Sequence, residues 1–185
     1  KHLLCSSDCE SMKIDELLQL ESGAKERLLD LWLGYTESAG SPHLRAAIAD
    51  IYQNVNPADV LVFAGAEEAI FLFMQGLVGS NDEVIVHTPC YQSLLTLAQV
   101  NAATVRHWPA DPKTDWRLDT GELKRLIRPR TRLIVINTPH NPTGWLMDAN
   151  DWEELHQLAA ERNVLVFCDE VYRESEYDPV NRLPA

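Results

Sequence analysis

The feature of this sequence that most constrains its fold is a strand–turn–helix–strand pattern over residues 131–172. Leu133–Ile136 is a continuous apolar run, which predicts a strand covered on both faces. Asn, Pro and Gly residues then predict a turn, and Asp148 can cap the helix that follows. Val164–Cys168 predicts a second buried strand, and Asp169 is the first charge at its end.

Upstream of this segment, apolar runs and helical patterns alternate from residue 59 onward, which predicts an α/β sheet. Three further strands are predicted at Val60–Phe63, Glu83–His87 and Thr104–Trp108. The intervening helical patterns begin at Ala64, after Tyr91 and after Asp119 as a cap, and they end near Val78, Val100 and Arg128.

Residues 1–34 form an N-terminal helical segment with two helical patterns, and residues 35–185 form the larger unit. Ser11 is the expected cap of the first helix, and the second runs over Lys25–Leu33. A third helix is expected over Pro42–Tyr52. We expect the apolar side chains of the first two helices to pack, namely Ile14, Leu17, Leu18, Leu28, Leu29, Trp32 and Leu33.

The composition excludes several classes of protein. A net charge of −12 argues against binding to nucleic acid or to an anionic membrane. No apolar run approaches the length of a membrane span, and the apolar start at residues 1–4 is too short for a signal peptide.

The four cysteines lack the density of a disulfide framework, which favours free thiols in a reducing cytoplasm. Cys5 and Cys9 are spaced so that they can ligate a metal, but no second Cys or His pair follows, so we expect no metal site. Cys168, inside a predicted strand, is interpreted as a small core residue, and Cys90 as a free thiol.

Polar or turn residues stand at the carboxyl ends of four predicted strands: Gly65, Tyr91, Asn141 and Asp169. If those strands are parallel, all four residues lie along one edge of the sheet, where open α/β sheets bind ligands. Among nearby histidines, His140 is expected to support the turn, while His87 and His107 are expected to be hydrogen-bonded structural residues.

A phosphate can be bound at the start of the helix after Gly65, because the free N–H groups of Ala66 and Glu67 converge there and the helix dipole favours an anion. Glycine lets the backbone approach such a ligand closely. The side chains of Glu67 and Glu68 are negative, so we expect them to point away.

An apolar strand that ends in Asp-Glu is also typical of the magnesium-binding strand of P-loop nucleotidases. That interpretation needs a G-x-x-x-x-G-K-S/T loop upstream, and the sequence contains none. The combination of Asn-Pro-Thr-Gly at 141–144 with Asp-Glu-x-x-Tyr at 169–172 instead resembles the class I/II aminotransferases. These are fold-type-I enzymes that depend on pyridoxal 5'-phosphate (PLP). The Tyr-x4-Gly-x3-Leu-Arg pattern at 35–45 is similar to that family as well.

The resemblance implies a three-layer α/β/α PLP-transferase large domain with a mostly parallel sheet, of which residues 35–185 supply an incomplete part. It implies a cytoplasmic, homodimeric enzyme that transfers an amino group between an amino acid and a 2-oxo acid. Two alternatives stay open: a PLP-dependent lyase of the same fold, such as a carbon–sulfur lyase, and a short non-catalytic paralogue that binds a ligand or a partner.

The resemblance also implies roles for individual residues. Tyr91 would stack on the pyridine ring of PLP, and Asp169 would pair with the ring nitrogen and favour its protonated form. Tyr172 and Asn141 would donate to the ring oxygen O3′, and Asn141 also to a substrate carboxylate. Tyr35 would reach the cofactor phosphate of the neighbouring subunit.

The sequence departs from the family in one respect. Such enzymes attach PLP to a lysine some tens of residues beyond the Asp-x-x-Tyr segment, and the five lysines here all lie upstream of that segment: Lys1, Lys13, Lys25, Lys113 and Lys124. We therefore expect a piece of a longer enzyme, cut at both ends, without the catalytic lysine and inactive by itself. In the family, two later strands lie between those expected at Val60–Phe63 and Val164–Cys168.

Overall fold

Strands and helices alternate through most of the computed structural model, which describes residues 7, 10–102 and 104–184. The strands are β1 (Glu83–Thr88), β2 (Thr104–Pro109), β3 (Thr131–Asn137) and β4 (Leu165–Asp169). The helices are α1 (Ile14–Leu18), α2 (Ala24–Leu29), α3 (Pro42–Ala49), α4 (Ala66–Leu77), α5 (Gln92–Asn101), α6 (Thr120–Leu126) and α7 (Ala149–Arg162).

The four strands form one parallel sheet in the order β2-β1-β3-β4. The register pairs Val84 with Leu133 in the centre and Asn137 with Asp169 at the carboxyl end of β3 and β4. Each strand is followed by a helix before its neighbour begins, as a parallel sheet requires. The predicted α/β class with a parallel sheet is therefore confirmed.

Helices cover both faces of the sheet, so the unit has three layers. On one face, Ile85, Ile134 and Ile136 pack with buried residues of α6 and α7 such as Leu123 and Leu155. On the other face, alternate strand residues pack with α4 and α5; this cluster contains Val84, Val86, Leu133, Val135, Ile70, Met74, Leu94 and Ala98. Successive strand residues point to opposite faces, and both faces are apolar, which explains the continuous apolar runs in the sequence.

The prediction of a strand at Val60–Phe63 is wrong. This segment pairs with no strand of the sheet; Val62 donates its N–H to the carbonyl of Ala39 at 3.0 Å, and Arg45 donates to the carbonyl of Val60 at 2.9 Å. Among the described residues, no strand lies beside this apolar run and accepts its backbone hydrogen bonds. An apolar run becomes a strand only where a neighbour accepts its backbone hydrogen bonds.

The N-terminal helices also differ from the prediction. Lys13, not Ser11, is the residue that precedes α1, and its N–H donates to the Glu16 carboxylate at 2.8 Å. The second helix ends at Leu29 rather than Leu33. Their apolar side chains do not pack as expected: neither helix contains a buried residue, and the side chains of Ile14, Leu17, Leu28, Leu29, Trp32 and Leu33 are exposed.

Two caps predicted from the sequence are confirmed. Asp148 accepts hydrogen bonds from the N–H groups of Asn150 and Asp151, both at 3.0 Å, at the start of α7. Asp119 accepts from the N–H of Gly121 at 2.8 Å at the start of α6, which ends two residues earlier than expected. These carboxylates satisfy backbone donors that the first helical turn leaves free.

Cys90 and Cys168 are free, and burial raises the pKa of both thiols, that of Cys90 to about 11. Cys168 packs against the first core cluster as expected. Cys5 and Cys9, to which the metal argument applied, lie outside the described residues. Every helix within residues 7, 10–102 and 104–184 is too short or too polar to cross a bilayer.

A buried carboxylate fastens the amino-terminal ends of three strands. Glu83, the first residue of β1, accepts from Arg106 of β2 at 2.9 Å and from Arg130, just before β3, at 3.1 Å. Only 6% of its side chain is exposed. The hydrogen bond from Arg106 is the main cause that holds the pKa of Glu83 below its ordinary value of 4.5.

Glu83→Gln should therefore lower the free energy of unfolding by about 1–2 kcal/mol at neutral pH, because two charge-assisted hydrogen bonds are weakened. A group with a lowered pKa stabilises the fold above its unfolded value and loses that effect as the pH falls through the folded value. The difference between the two proteins should thus shrink below about pH 4.5. Urea denaturation at several pH values measures it, with Glu153→Gln on the exposed face of α7 as the control. Equal stability of Glu83→Gln and the control at neutral pH would refute the role.

Candidate functional site

A cavity of about 220 Å³ lies where the carboxyl ends of the central strands meet the start of α4. It brings together most of the residues singled out from the sequence: Ala66, Glu67, Tyr91, Asn141, Asp169 and Tyr172. Asn137, Ile70, Val171 and Ser7 line it as well. The carboxyl edge of the parallel sheet is thus where the concave surface forms, as expected for an open α/β sheet.

Asp169 supplies a carboxylate that is nine-tenths buried, at 9% exposure. Its Oδ1 accepts the N–H of Val171 at 3.2 Å, and no donor among the described residues reaches its Oδ2. Burial raises the pKa of Asp169; the N–H of Val171 acts in the opposite direction, and the charge of Glu67 adds to the increase. This carboxylate therefore has an unused acceptor in a low-dielectric wall of the cavity, where a cationic ligand group would be strongly favoured.

Asn137 is the residue of this site that the sequence analysis missed. It ends β3, is almost fully buried, and its amide donates to the carbonyls of Asp169 at 2.8 Å and Pro139 at 3.2 Å. Its Oδ1 accepts the N–H of Asn141 at 2.7 Å. The side chain therefore fixes Asn141 relative to Asp169. An Asn that directly ends a buried strand was the available signal, and it was interpreted only as part of the turn.

Asn141 and Tyr172 lie on opposite loops and also line an adjoining cavity of about 370 Å³. The chain turns directly after β4, with the N–H of Arg173 bonded to the carbonyl of Glu170 at 2.8 Å. This turn is what brings Tyr172 to the same cavity as Asp169. The phenolic hydroxyl of Tyr172 donates weakly to the carbonyl of Ser7 at 3.4 Å.

Tyr91 lies at the start of α5, and its side chain, 45% exposed, forms part of the cavity wall. The loop before Tyr91 is connected to the Asn141 loop through His140. His140 therefore supports the turn, as expected. The Nε2 of His140 lies 2.8 Å from the carbonyl of Pro89 and its Nδ1 lies 2.6 Å from the hydroxyl of Thr143. Because a carbonyl only accepts, Nε2 carries the proton and Nδ1 accepts from Thr143. Burial lowers the pKa of His140, which favours this neutral form.

His87 contradicts the expectation that it is hydrogen-bonded. It is buried, and neither ring nitrogen has a hydrogen-bond partner in the part of the chain that the structure describes. Its ring stacks on that of His140, with centroids 4.0 Å apart. Burial, with a smaller contribution from His140, lowers the pKa of His87 to about 3, so the ring is neutral and serves as an apolar aromatic in the core. His107 is exposed.

The start of α4 has the backbone expected for an anion site. Gly65 precedes the helix with φ at 149°, a conformation that favours glycine, and no side chain caps the first turn. Gly65 does not follow a paired strand and does not itself line the cavity. Glu68 folds back onto the N–H of Ala64 at 2.7 Å, away from the cavity as expected. Glu67 differs from the expectation, because it lines the cavity.

Tyr35 lies apart from the other predicted site residues. Its side chain is fully exposed and lines none of the cavities found among the described residues. The loop that carries it follows α2 and precedes α3.

Comparison with known proteins gives a consistent result. The family model for aminotransferases of class I and II matches residues 2–183. Aspartate aminotransferase of Pyrococcus horikoshii is 31% identical over 170 residues, which cover 89% of this chain and 44% of that protein. Capreomycidine synthase of Streptomyces vinaceus is 36% identical over 144 residues, 76% of this chain and 36% of that protein. The crystal structure of a PLP-dependent aminotransferase from Streptococcus suis superposes with a TM-score of 0.84 at 32% identity, over 94% of this chain and 47% of that one. The chain thus spans less than half the length of these relatives.

Asn137→Ala should lower the free energy of unfolding by about 1–3 kcal/mol, because it leaves the part-buried N–H of Asn141 without its acceptor. Thermal and urea denaturation measure the change. Asn150→Ala, at an exposed position in the first turn of α7, is the matched control and should change stability little. A loss no larger than that of the control would mean that Asn137 does not hold the site together.

Proposed function

This chain belongs to the aminotransferase class I and II family, and we propose that the protein transfers an amino group between an amino acid and a 2-oxo acid with pyridoxal 5'-phosphate as cofactor. The observation that carries the proposal is the buried carboxylate of Asp169, which lines a cavity at the carboxyl edge of the sheet and whose Oδ2 accepts no hydrogen bond from the described residues. PLP carries a ring nitrogen, a ring oxygen, an aromatic face and a phosphate. The cavity offers a matching group for each of the four.

Asp169 is the proposed partner of the ring nitrogen. A buried carboxylate that has no other cation close by gains most when the group beside it is protonated, so it would hold the proton on that nitrogen. When bound, the protonated ring supplies an electron sink for the bonds at the substrate α-carbon. The backbone of Asp169 is fixed by the β3–β4 register and by the Asn137 amide, so the carboxylate does not have to reorganise.

Three further side chains are proposed to orient the ring. Tyr91, on the wall formed by the start of α5, offers its aromatic face for offset stacking. Asn141 and Tyr172 can both donate to the ring oxygen, and Asn141 also borders the adjoining cavity, where a substrate carboxylate would be bound. The His140 hydrogen bond to Pro89 anchors the loop that carries Tyr91, and the Asn137 side chain holds the backbone of Asn141.

The phosphate is proposed to bind at the start of α4. Gly65 brings no side chain there, and the N–H groups of Ala66 and Glu67 have no partner within the helix. None of the four lysines among the described residues, Lys13, Lys25, Lys113 and Lys124, lines the cavity. We therefore propose that sequence outside this chain contributes the catalytic lysine, and that the 185 residues alone are inactive.

The proposed protein is a cytoplasmic homodimer, and Tyr35 is proposed to serve the neighbouring subunit. Tyr35 is fully exposed and lines none of the cavities among the described residues, which agrees with a role across an interface. A PLP-dependent lyase would use the same cavity residues. Product analysis separates the two activities, because a transaminase converts the amino acid to a 2-oxo acid only when a second 2-oxo acid accepts the amino group.

Asp169→Asn in the full-length protein should lower kcat/KM at least roughly 100-fold, because an amide cannot keep the ring nitrogen protonated. Steady-state transamination assays measure the loss, and circular dichroism checks that the fold is kept. Asp50→Asn, at an exposed position after α3, is the control and should retain activity. Near-normal turnover of Asp169→Asn would remove the proposed function.

Mixed dimers test Tyr35. A Tyr35→Phe subunit paired with an Asp169→Asn subunit should recover about half the activity of the unmodified dimer, because one of the two sites then has both its own Asp169 and a partner's tyrosine hydroxyl. Such recovery is expected only if each site uses the Tyr35 of the neighbouring subunit. If Tyr35 serves its own subunit, each site carries one defect, and the mixed dimer should be no more active than the average of the two parent variants.

A further inference from the structure

The first turn of α4 presents a carboxylate to the cavity. Glu67, the second residue of the helix, lines the cavity together with Ala66 and Asp169. Its Oε1 accepts the hydroxyl of Ser93, in the first turn of α5, at 2.5 Å. Glu68, next in sequence, instead turns back to the N–H of Ala64 and lines no part of this cavity. Two adjacent glutamates thus differ sharply in where they place their charge.

The Ser93 hydrogen bond keeps the Glu67 carboxylate at the cavity. Glu67 is exposed, and this hydrogen bond ties its carboxylate to α5 at the edge of the cavity. The negative charge of Glu67 also acts on Asp169, because it contributes to the raised pKa of that carboxyl group. Glu67 and Asp169 are both acidic, and none of the residues that line the cavity among those described is a lysine or an arginine.

A phosphate at the start of α4 would therefore meet opposing influences. The free N–H groups and the helix dipole attract it. The carboxylate of Glu67, in the same helical turn, would repel it, because like charges disfavour each other even in a partly hydrated site. An uncharged ligand would gain less from the backbone and would not be repelled.

We propose that Glu67, held by Ser93, limits the affinity of this site for phosphorylated ligands and so sets how tightly the cofactor is retained. This inference rests on the proposed PLP site. It assigns to Glu67 a role that acts on the phosphate end alone, and it predicts a gain of affinity on substitution, which damage to the fold does not produce.

The test compares the cofactor-free, full-length protein with its Glu67→Gln and Glu68→Gln variants at one neutral pH. Glutamine keeps the size of Glu67 and can still accept the Ser93 hydroxyl. Equilibrium dialysis gives the Kd for PLP and for pyridoxal, which lacks the phosphate. We expect Glu67→Gln to bind PLP roughly fivefold more tightly or better, with pyridoxal changed much less. Glu68→Gln should match the unmodified protein.

A second neutral variant, Glu67→Ser, must change the Kd for PLP in the same direction. Unchanged or weaker PLP binding by both Glu67 variants overturns the inference while leaving the proposed function intact. Equal tightening for PLP and pyridoxal also overturns it, because the effect would then not act on the phosphate. If the unmodified protein binds PLP neither covalently nor reversibly, the proposed function fails, and the inference fails with it.

Discussion

The pairing of β3 with β4 is the constraint on which the rest of the site depends. Because the two strands are parallel and in register, Asn137 and Asp169 end them side by side. Because they are neighbours, the side-chain amide of Asn137 can donate to the carbonyl of Asp169 and accept the N–H of Asn141. A shift of one residue in this register would turn Asp169 to the other face and leave Asn137 without its partners.

The site combines rigid polar groups with an apolar support. The neutral rings of His87 and His140 stack beneath the loops that carry Tyr91 and Asn141, and Trp145 meets His87 edge-on. Charged histidines there would repel each other, so burial and neutrality go together. Most of the cavity surface is apolar, and several of its polar groups are held by hydrogen bonds. Small-molecule sites commonly have this composition.

The sequence analysis predicted the four strands of the sheet to within a few residues, because long apolar runs between turn signals are determined locally. It failed for Val60–Phe63, since a strand also needs a neighbour, and pairing is not visible in a run of apolar residues. Of the four residues expected at strand ends, Tyr91, Asn141 and Asp169 line one cavity, and Gly65 does not. The direction of the Glu67 side chain was missed because it depends on Ser93, 26 residues away. Non-local hydrogen bonds of this kind leave no pattern along the chain.

The order of the sheet also bears on how the protein folds. The central pair, β1 and β3, is not consecutive in the chain, because β2 and two helices lie between them. Closing that long loop gives the sheet a high contact order, which slows folding relative to a hairpin or a helical bundle. The cavity needs the ends of both central strands and of β4, so a partly folded chain has no binding site. Any ligand of this cavity would therefore act as a selective stabiliser of the fully assembled sheet, with no affinity for its folding intermediates.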